Sequence, residues 1–189
     1  MVTGTPGVGK TTISRSLASK LNAHYIGITE LVKTEKLITQ IDDERKTLIA
    51  DTEKVSKLLQ HSLVQSVGTT IIEGHYVVDL VPKKYVNVVF VLRRDPYDLK
   101  STLEKRGYSE KKVYENLAAE ILDVCLCDAI EKCEMSKVCE IDVSSKSVET
   151  VVENMILVLE KRRNCKIGAV DWLAKLEREG QLEEFFRDS

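Results

Sequence analysis

Chain-breaking and aromatic residues are scarce in this sequence of 189 residues, which has three Pro, nine Gly, one Trp, three Phe and six Tyr. So few breakers leave no low-complexity linker, and no internal repeat is visible. No apolar run approaches the roughly 18 residues that a membrane span needs, and no charged-then-apolar signal segment opens the chain. A soluble, cytoplasmic protein with no membrane partner is expected. Charge of one sign is also missing. Lys+Arg 28 against Asp+Glu 30 leaves a net charge of -2, which argues against bulk binding of nucleic acid while permitting a local basic face.

Histidine is rare, at three residues, so Cys125 and Cys127 have no ring nitrogens nearby for a zinc site. They stand two apart in a helical pattern and are expected to be small buried side chains. Five cysteines, an odd number without CxxC spacing, do not form a secreted disulfide framework. A Cys133–Cys139 bridge stays open for a hyperthermophile, and few amides beside many Lys and Glu lean that way.

What is present is a folded chain, 43% hydrophobic and 31% charged, of a length that suits one domain. β-branched runs at Tyr25–Ile28, Thr69–Ile72, Val86–Leu92 and, more weakly, Val138–Val143 alternate with amphipathic stretches. Those stretches are Thr11–Leu21, Thr52–Val67, Pro96–Lys105, Ser109–Glu134 and Ser147–Arg162. The alternation predicts an α/β fold with a parallel sheet flanked by helices. Only Met1, Val2 and Thr3 precede the first glycine, which is short for a strand, so a start lying upstream is the favoured expectation. Residues 165–189 carry Trp172, Phe185 and Phe186, and Asp171 can cap a short helix there. A C-terminal helical extension docked on the core is expected, with a partner-binding helix as the alternative.

Gly4-Thr5-Pro6-Gly7-Val8-Gly9-Lys10-Thr11 matches GxxxxGK[ST] without a gap. The glycines let the backbone curl until successive N–H groups point at phosphate oxygens, and the following helix adds its positive end. Lys10 is suited to the β- and γ-phosphates and Thr11 to magnesium. Gly7, Gly9, Lys10, Thr11 and Thr12 are thus the expected ATP-phosphate residues. No Asn-Lys-x-Asp guanine signature occurs, and AAA-type ATPases need longer chains, so a small nucleotide kinase is expected.

This loop, together with Val89-Phe90-Val91-Leu92-Arg93 and Arg106-Gly107-Tyr108-Ser109-Glu110-Lys111-Lys112 continuing through Asn116 and Glu120, resembles the adenylate kinase isoenzyme 6 family in its archaeal form. The resemblance runs to about Arg162. It implies the P-loop nucleoside monophosphate kinase fold over about 1–164, with a monophosphate-binding flap near 27–50 and a short lid near 105–115. It further implies transfer of the ATP γ-phosphoryl group to AMP with Mg2+, a weaker ATPase, and a part in small-subunit (16S rRNA) maturation through a ribosomal protein. An ATP-switched assembly factor with slow hydrolysis and little kinase activity is the alternative.

Several further residues follow. Glu73-Gly74-His75 stands where the family often has Asp-x-His-Gly. Glu73 is a candidate magnesium or water ligand, and His75 a candidate for positioning water or polarising a phosphate oxygen. Arg106 opens the lid and is the expected phosphate clamp. In the acidic Asp42-Asp43-Glu44-Arg45 cluster, Arg45 is a candidate for the AMP phosphate. Arg93, at the carboxyl end of its strand, is a second substrate-binding candidate, whereas Arg94 reads as surface. The stem of Lys146, after the last strand, is a candidate cover for adenine.

Overall fold

The computed structural model describes residues 1–42 and 47–186. Its central strand, β6 (Val89–Arg93), is buried at every position, as an apolar run can be when both faces of the sheet are covered. β6 runs parallel to β1 (Val2–Thr3) on one side and β7 (Val138–Asp142) on the other. β5 (Thr70–Glu73) joins the far side of β1, and β2 (His24–Gly27) forms the edge, giving the parallel order β2-β5-β1-β6-β7. The expected runs fall within one residue of β2, β5 and β7. The run at Val86–Leu92 is shortened because Lys83–Tyr85 form a 3-10 turn, and the strand begins only at Val89. β1 is brief but tied on both sides: the Phe90 N–H donates to the Met1 carbonyl at 2.9 Å and the Gly74 N–H to the Val2 carbonyl at 3.2 Å.

Alternation along β6 divides the core. Phe90 and Leu92 join a layer with α1 (Lys10–Leu21), α5 (Pro96–Lys105), α6 (Glu110–Ile121) and α8 (Val148–Leu159). Val89 and Val91 join the other layer with α2 (Ile28–Thr34), α3 (Thr52–Gln65), α4 (Val77–Leu80) and α7 (Val124–Lys132). The helix starts are chemically marked: Asp51, Asp95, Ser109 and Ser147 each accept a backbone N–H from the first turn they cap. In α6, Val113, Leu117 and Ile121 recur at helical spacing, and a fully buried Leu such as Leu117 contributes about 2 kcal/mol.

The stretch Ser109–Glu134 is not one helix. Asp123 takes a left-handed conformation (φ 59°) and divides α6 from α7. The physical reason is layering: α6 buries its apolar stripe in the first layer and α7 in the second, so a straight helix cannot serve both. The Asp123 carboxylate also pairs with Arg93, which fixes the break in place. The cysteine expectations need correction as well. Cys125 is buried but Cys127 is exposed, and all five thiols are free, so no Cys133–Cys139 bridge is present. Burial first, and the neighbouring Cys165 second, push the Cys139 thiol up to about 12.

Between β2 and α3 the chain folds as α2 followed by an antiparallel hairpin, β3 (Ile38–Asp42) and β4 (Thr47–Ala50), outside the main sheet. Arg45 and its neighbours Asp43 and Glu44 lie outside the described residues. After α8 the chain returns along β7, where the Glu140 N–H donates to the Lys166 carbonyl at 2.9 Å. It then forms α9 (Trp172–Glu179), capped by Asp171, and α10 (Leu182–Phe185). Trp172, Leu176 and Phe185 are buried in the first layer, so this extension completes the same core. Among the described residues, no helix is long and apolar enough to cross a membrane.

Candidate functional site

Residues 4–9 connect β1 to α1 through three glycines with φ of 141°, 98° and 105°. A Cβ on Gly4 would meet the Leu92 carbonyl oxygen at 2.5 Å, and one on Gly7 would meet Leu99 Cδ1 at 2.8 Å. Glycine is required at both positions by backbone conformation and by space. Lys10 Nζ donates to the carbonyls of Gly4 (2.8 Å) and Thr5 (3.1 Å). Burial lowers the Lys10 pKa, so an anion brought to this ammonium would relieve a real desolvation cost.

The carboxyl end of β5 delivers Glu73 to the start of α1. Thr11 Oγ1 donates to Glu73 Oε1 at 3.0 Å, and the Tyr25 hydroxyl donates to the same oxygen at 3.1 Å. A hydroxyl and a carboxylate this close form a hard-oxygen donor pair that fits Mg2+. Among the described residues no group of three or more His, Cys, Asp and Glu could hold a metal ion. Two protein oxygens suit an ion that takes its remaining ligands from phosphates and water.

His75 sits on the other side of the loop. Its Nδ1 lies 3.3 Å from the Gly4 carbonyl and 3.5 Å from Cys125 Sγ. Burial, and then the charge of Lys10, lower the His75 pKa, so the ring is neutral near pH 7. Cys125 is raised to about 11, chiefly by burial, and remains a thiol. The pair therefore offers a neutral imidazole and no thiolate.

A cleft of about 390 Å³ opens beside the loop, bounded by Gly7, Gly9, Thr12, Arg94, Arg106 and Lys146 among others. Arg106 is exposed at the C-terminal end of α5, on a tight turn that leads through Gly107 (φ 72°) into α6. The segment near 105–115 expected to act as a lid comprises this turn and the start of α6. Lys146 Nζ is held by Asp142, at 2.7 Å from both its carbonyl and Oδ2, which lays the Lys146 side chain along the cleft wall. The cleft thus gathers two guanidiniums, an aliphatic stem and a loop of backbone amides, an arrangement able to hold a polyphosphate and an adjoining base.

The two adjacent arginines exchange their expected places. Arg93 is 1% exposed. Its Nε donates to Glu120 Oε1 (2.9 Å), Nη1 to Glu140 Oε1 (2.6 Å), and Nη2 to the Glu120 carbonyl (2.8 Å) and to Asp123. All three nitrogens are spent inside the protein, so the expectation that Arg93 binds substrate is corrected to an internal role. Arg94, expected at the surface, lines the cleft and donates from Nη1 to the Gly7 carbonyl at 3.3 Å. The signal was available in the pattern: a strand buried on both faces also buries its last residue, and the next residue leaves the sheet beside the phosphate loop. Glu120 was missed too, although it accepts Thr5 Oγ1 at 2.5 Å and so braces the loop from behind.

A family model described as an AAA domain matches residues 1–123. A relative from Methanocaldococcus jannaschii named "Putative adenylate kinase" is 43% identical over 174 residues, covering 92% of this chain and 92% of the relative. A relative of the same name from Saccharolobus islandicus is 34% identical over 187 residues, covering 97% of this chain and 92% of the relative. The chain belongs to this archaeal adenylate kinase family. The description AAA domain names a class that the chain's length was expected to exclude, so length alone does not separate the P-loop classes.

Solved structures agree with the family on the fold. A shikimate kinase from Acinetobacter baumannii superposes with a TM-score of 0.63 at 12% identity, covering 86% of this chain and 92% of that one. One from Bacteroides thetaiotaomicron gives 0.57 at 17% identity, covering 84% and 96%. At such identities the likeness shows the fold alone.

Proposed function

We propose that this protein is a magnesium-dependent adenylate kinase that converts ATP and AMP into two ADP. The observation that carries the reading is a glycine-rich loop that leads into Lys10 and the Thr11–Glu73 pair and is flanked by a cleft lined by Arg94 and Arg106. An AMP phosphate oxygen attacks the γ-phosphorus, the bond to the β,γ-bridging oxygen breaks, and ADP leaves. No net proton transfer is required, so positioning and charge neutralisation dominate. Lys10 leaves the loop carbonyls for the β- and γ-phosphates, while Arg94 and Arg106 approach the phosphate chain from the wall and the lid. Thr12 and the Gly7–Gly9 backbone complete the cradle, and the Lys146 stem flanks adenine. Thr11 and Glu73 would hold magnesium, which supplies Lewis-acid neutralisation of the phosphate oxygens.

A secondary ATPase follows when water takes the acceptor's place. Neutral His75 and Glu73 are the groups placed to orient that water. ATP and AMP as substrates suit a cytoplasmic protein. The second reading, an ATP-switched assembly factor for the small ribosomal subunit, rests on the family resemblance. Arg45, the candidate ligand for the AMP phosphate in the first reading, lies outside the described residues.

Purified protein with ATP and Mg2+, with and without AMP, decides between them when ADP and free phosphate are scored separately. Two ADP per ATP consumed, formed only with AMP and without free phosphate, supports the kinase. Free phosphate that is indifferent to AMP refutes it and favours the switch. Lys10→Ala abolishes either activity and controls for contaminants.

A further inference from the structure

Beyond its core packing, the C-terminal helix α9 makes two polar contacts with the residues that hold Arg94, Glu120 and Asp95. Trp172 Nε1 donates to Glu120 Oε1 at 3.2 Å. The same oxygen accepts the Arg94 backbone N–H at 2.9 Å, and the other Glu120 oxygen accepts Thr5 Oγ1 of the phosphate loop at 2.5 Å. One turn further along α9, Lys175 pairs with the Asp95 carboxylate. Asp95 in turn caps α5 by accepting the Tyr97 N–H at 2.9 Å, and its own N–H donates to Ser144 Oγ at 2.8 Å. Arg94 is therefore gripped on both sides: its N–H through Glu120 and Trp172, and its C-terminal neighbour through Lys175. Its guanidinium is the part left to face the Gly7 carbonyl and the cleft.

We infer that α9 is a working part of the nucleotide site, with Trp172 and Lys175 as positioning residues that fix Arg94 over the phosphate loop. The inference rests on the reading of this cleft as the ATP site. An unrestrained arginine must lose its freedom each time a phosphate binds; one whose backbone is tied on both sides has lost part of it in folding. The same extension is pinned along α5 by Tyr97–Glu179 and Lys100–Glu184, both at 3.1 Å, so the helix that ends at Arg106 shares the brace.

The test is ATP·Mg2+ affinity measured by direct calorimetric titration without AMP, which keeps binding separate from phosphoryl transfer. Removing α9 would open the core at Trp172 and Leu176, so point variants are used. Lys175→Met keeps the stem and removes the charge, and Trp172→Phe keeps an aromatic ring and removes the N–H. Each raises the ATP Kd about fivefold, as loss of one hydrogen bond predicts, while Lys175→Arg restores it. In an Arg94→Ala background, itself weaker for ATP, Lys175→Met has no further effect, because its route to the ligand is gone.

A lower melting temperature with unchanged Kd would make α9 structural only and overturn the inference. Full additivity of Lys175→Met and Arg94→Ala overturns it as well. Wild-type protein that binds no ATP overturns the reading of the cleft, and this inference with it. Normal ATP binding without transfer to AMP overturns the kinase assignment alone.

Discussion

Arg93→Leu separates the buried-network account of this arginine from a substrate-binding one. In the native protein the guanidinium is enclosed with Glu120 and Glu140, both nearly inaccessible to solvent, and reaches half-exposed Asp123 at the helix break. Burial opposes the charge on Arg93, but the carboxylates of Glu120 and Asp123 outweigh it and raise its pKa. Leucine leaves two carboxylates in the interior without their cation. Glu120 keeps the Thr5, Arg94 and Trp172 donors, and Glu140 keeps the Ala169 N–H at 2.6 Å, so hydrogen bonding is partly retained. Stranding buried charge costs about 4 kcal/mol, which lowers the melting temperature by about 12 °C for a chain of this size. The assay is calorimetric melting at pH 8. A deficit under about 1 kcal/mol, or an unchanged melting curve with a raised KM for AMP, would refute the network account.

Three further outcomes follow from the geometry. Glu73→Gln raises the Mg2+ concentration needed for half-maximal activity about tenfold, measured by titrating Mg2+ at fixed ATP; an unchanged requirement removes Glu73 from the metal site. His75 has a folded pKa below its ordinary 6.5, owing to burial and then Lys10. The unfolded chain therefore binds the extra proton first as pH falls, so this contribution to stability is present above 6.5 and is lost below it. His75→Gln flattens the difference between melts at pH 7.5 and pH 5, and an unaltered difference would contradict the assignment. With iodoacetamide at pH 8, exposed Cys127 is alkylated first, whereas Cys125 and Cys139, raised to about 11 and about 12 mainly by burial, remain free. Peptide mass mapping at early times checks the order.

The phosphate loop was readable from the chain because its chemistry is local. Gly4, Gly7, Gly9, Lys10 and Thr11 act through backbone conformation and spacing that eight consecutive residues carry by themselves. The parallel sheet was equally legible, since β-branched runs alternating with amphipathic stretches leave few other ways to bury both. The division of Ser109–Glu134 into α6 and α7 was not, because its apolar period continues through Asp123 and only the two layers on either side of the sheet force the break.

The functions of Arg93 and Arg94 depended on tertiary structure for a related reason. Two identical, adjacent side chains differ only in what surrounds them, and the carboxylates that claim Arg93 come from positions 120, 123 and 140. The place of α9 at the site has the same origin. Its helical pattern announced an element with a face to bury, while Trp172 on Glu120 and Lys175 on Asp95 are contacts across 52 and 80 residues of sequence. The sequence by itself determined the glycine spacing of the loop and that strands alternate with helices, because those properties are written in neighbouring residues. Which charges face the cleft and which are consumed inside was decided only when the folded chain brought distant partners together.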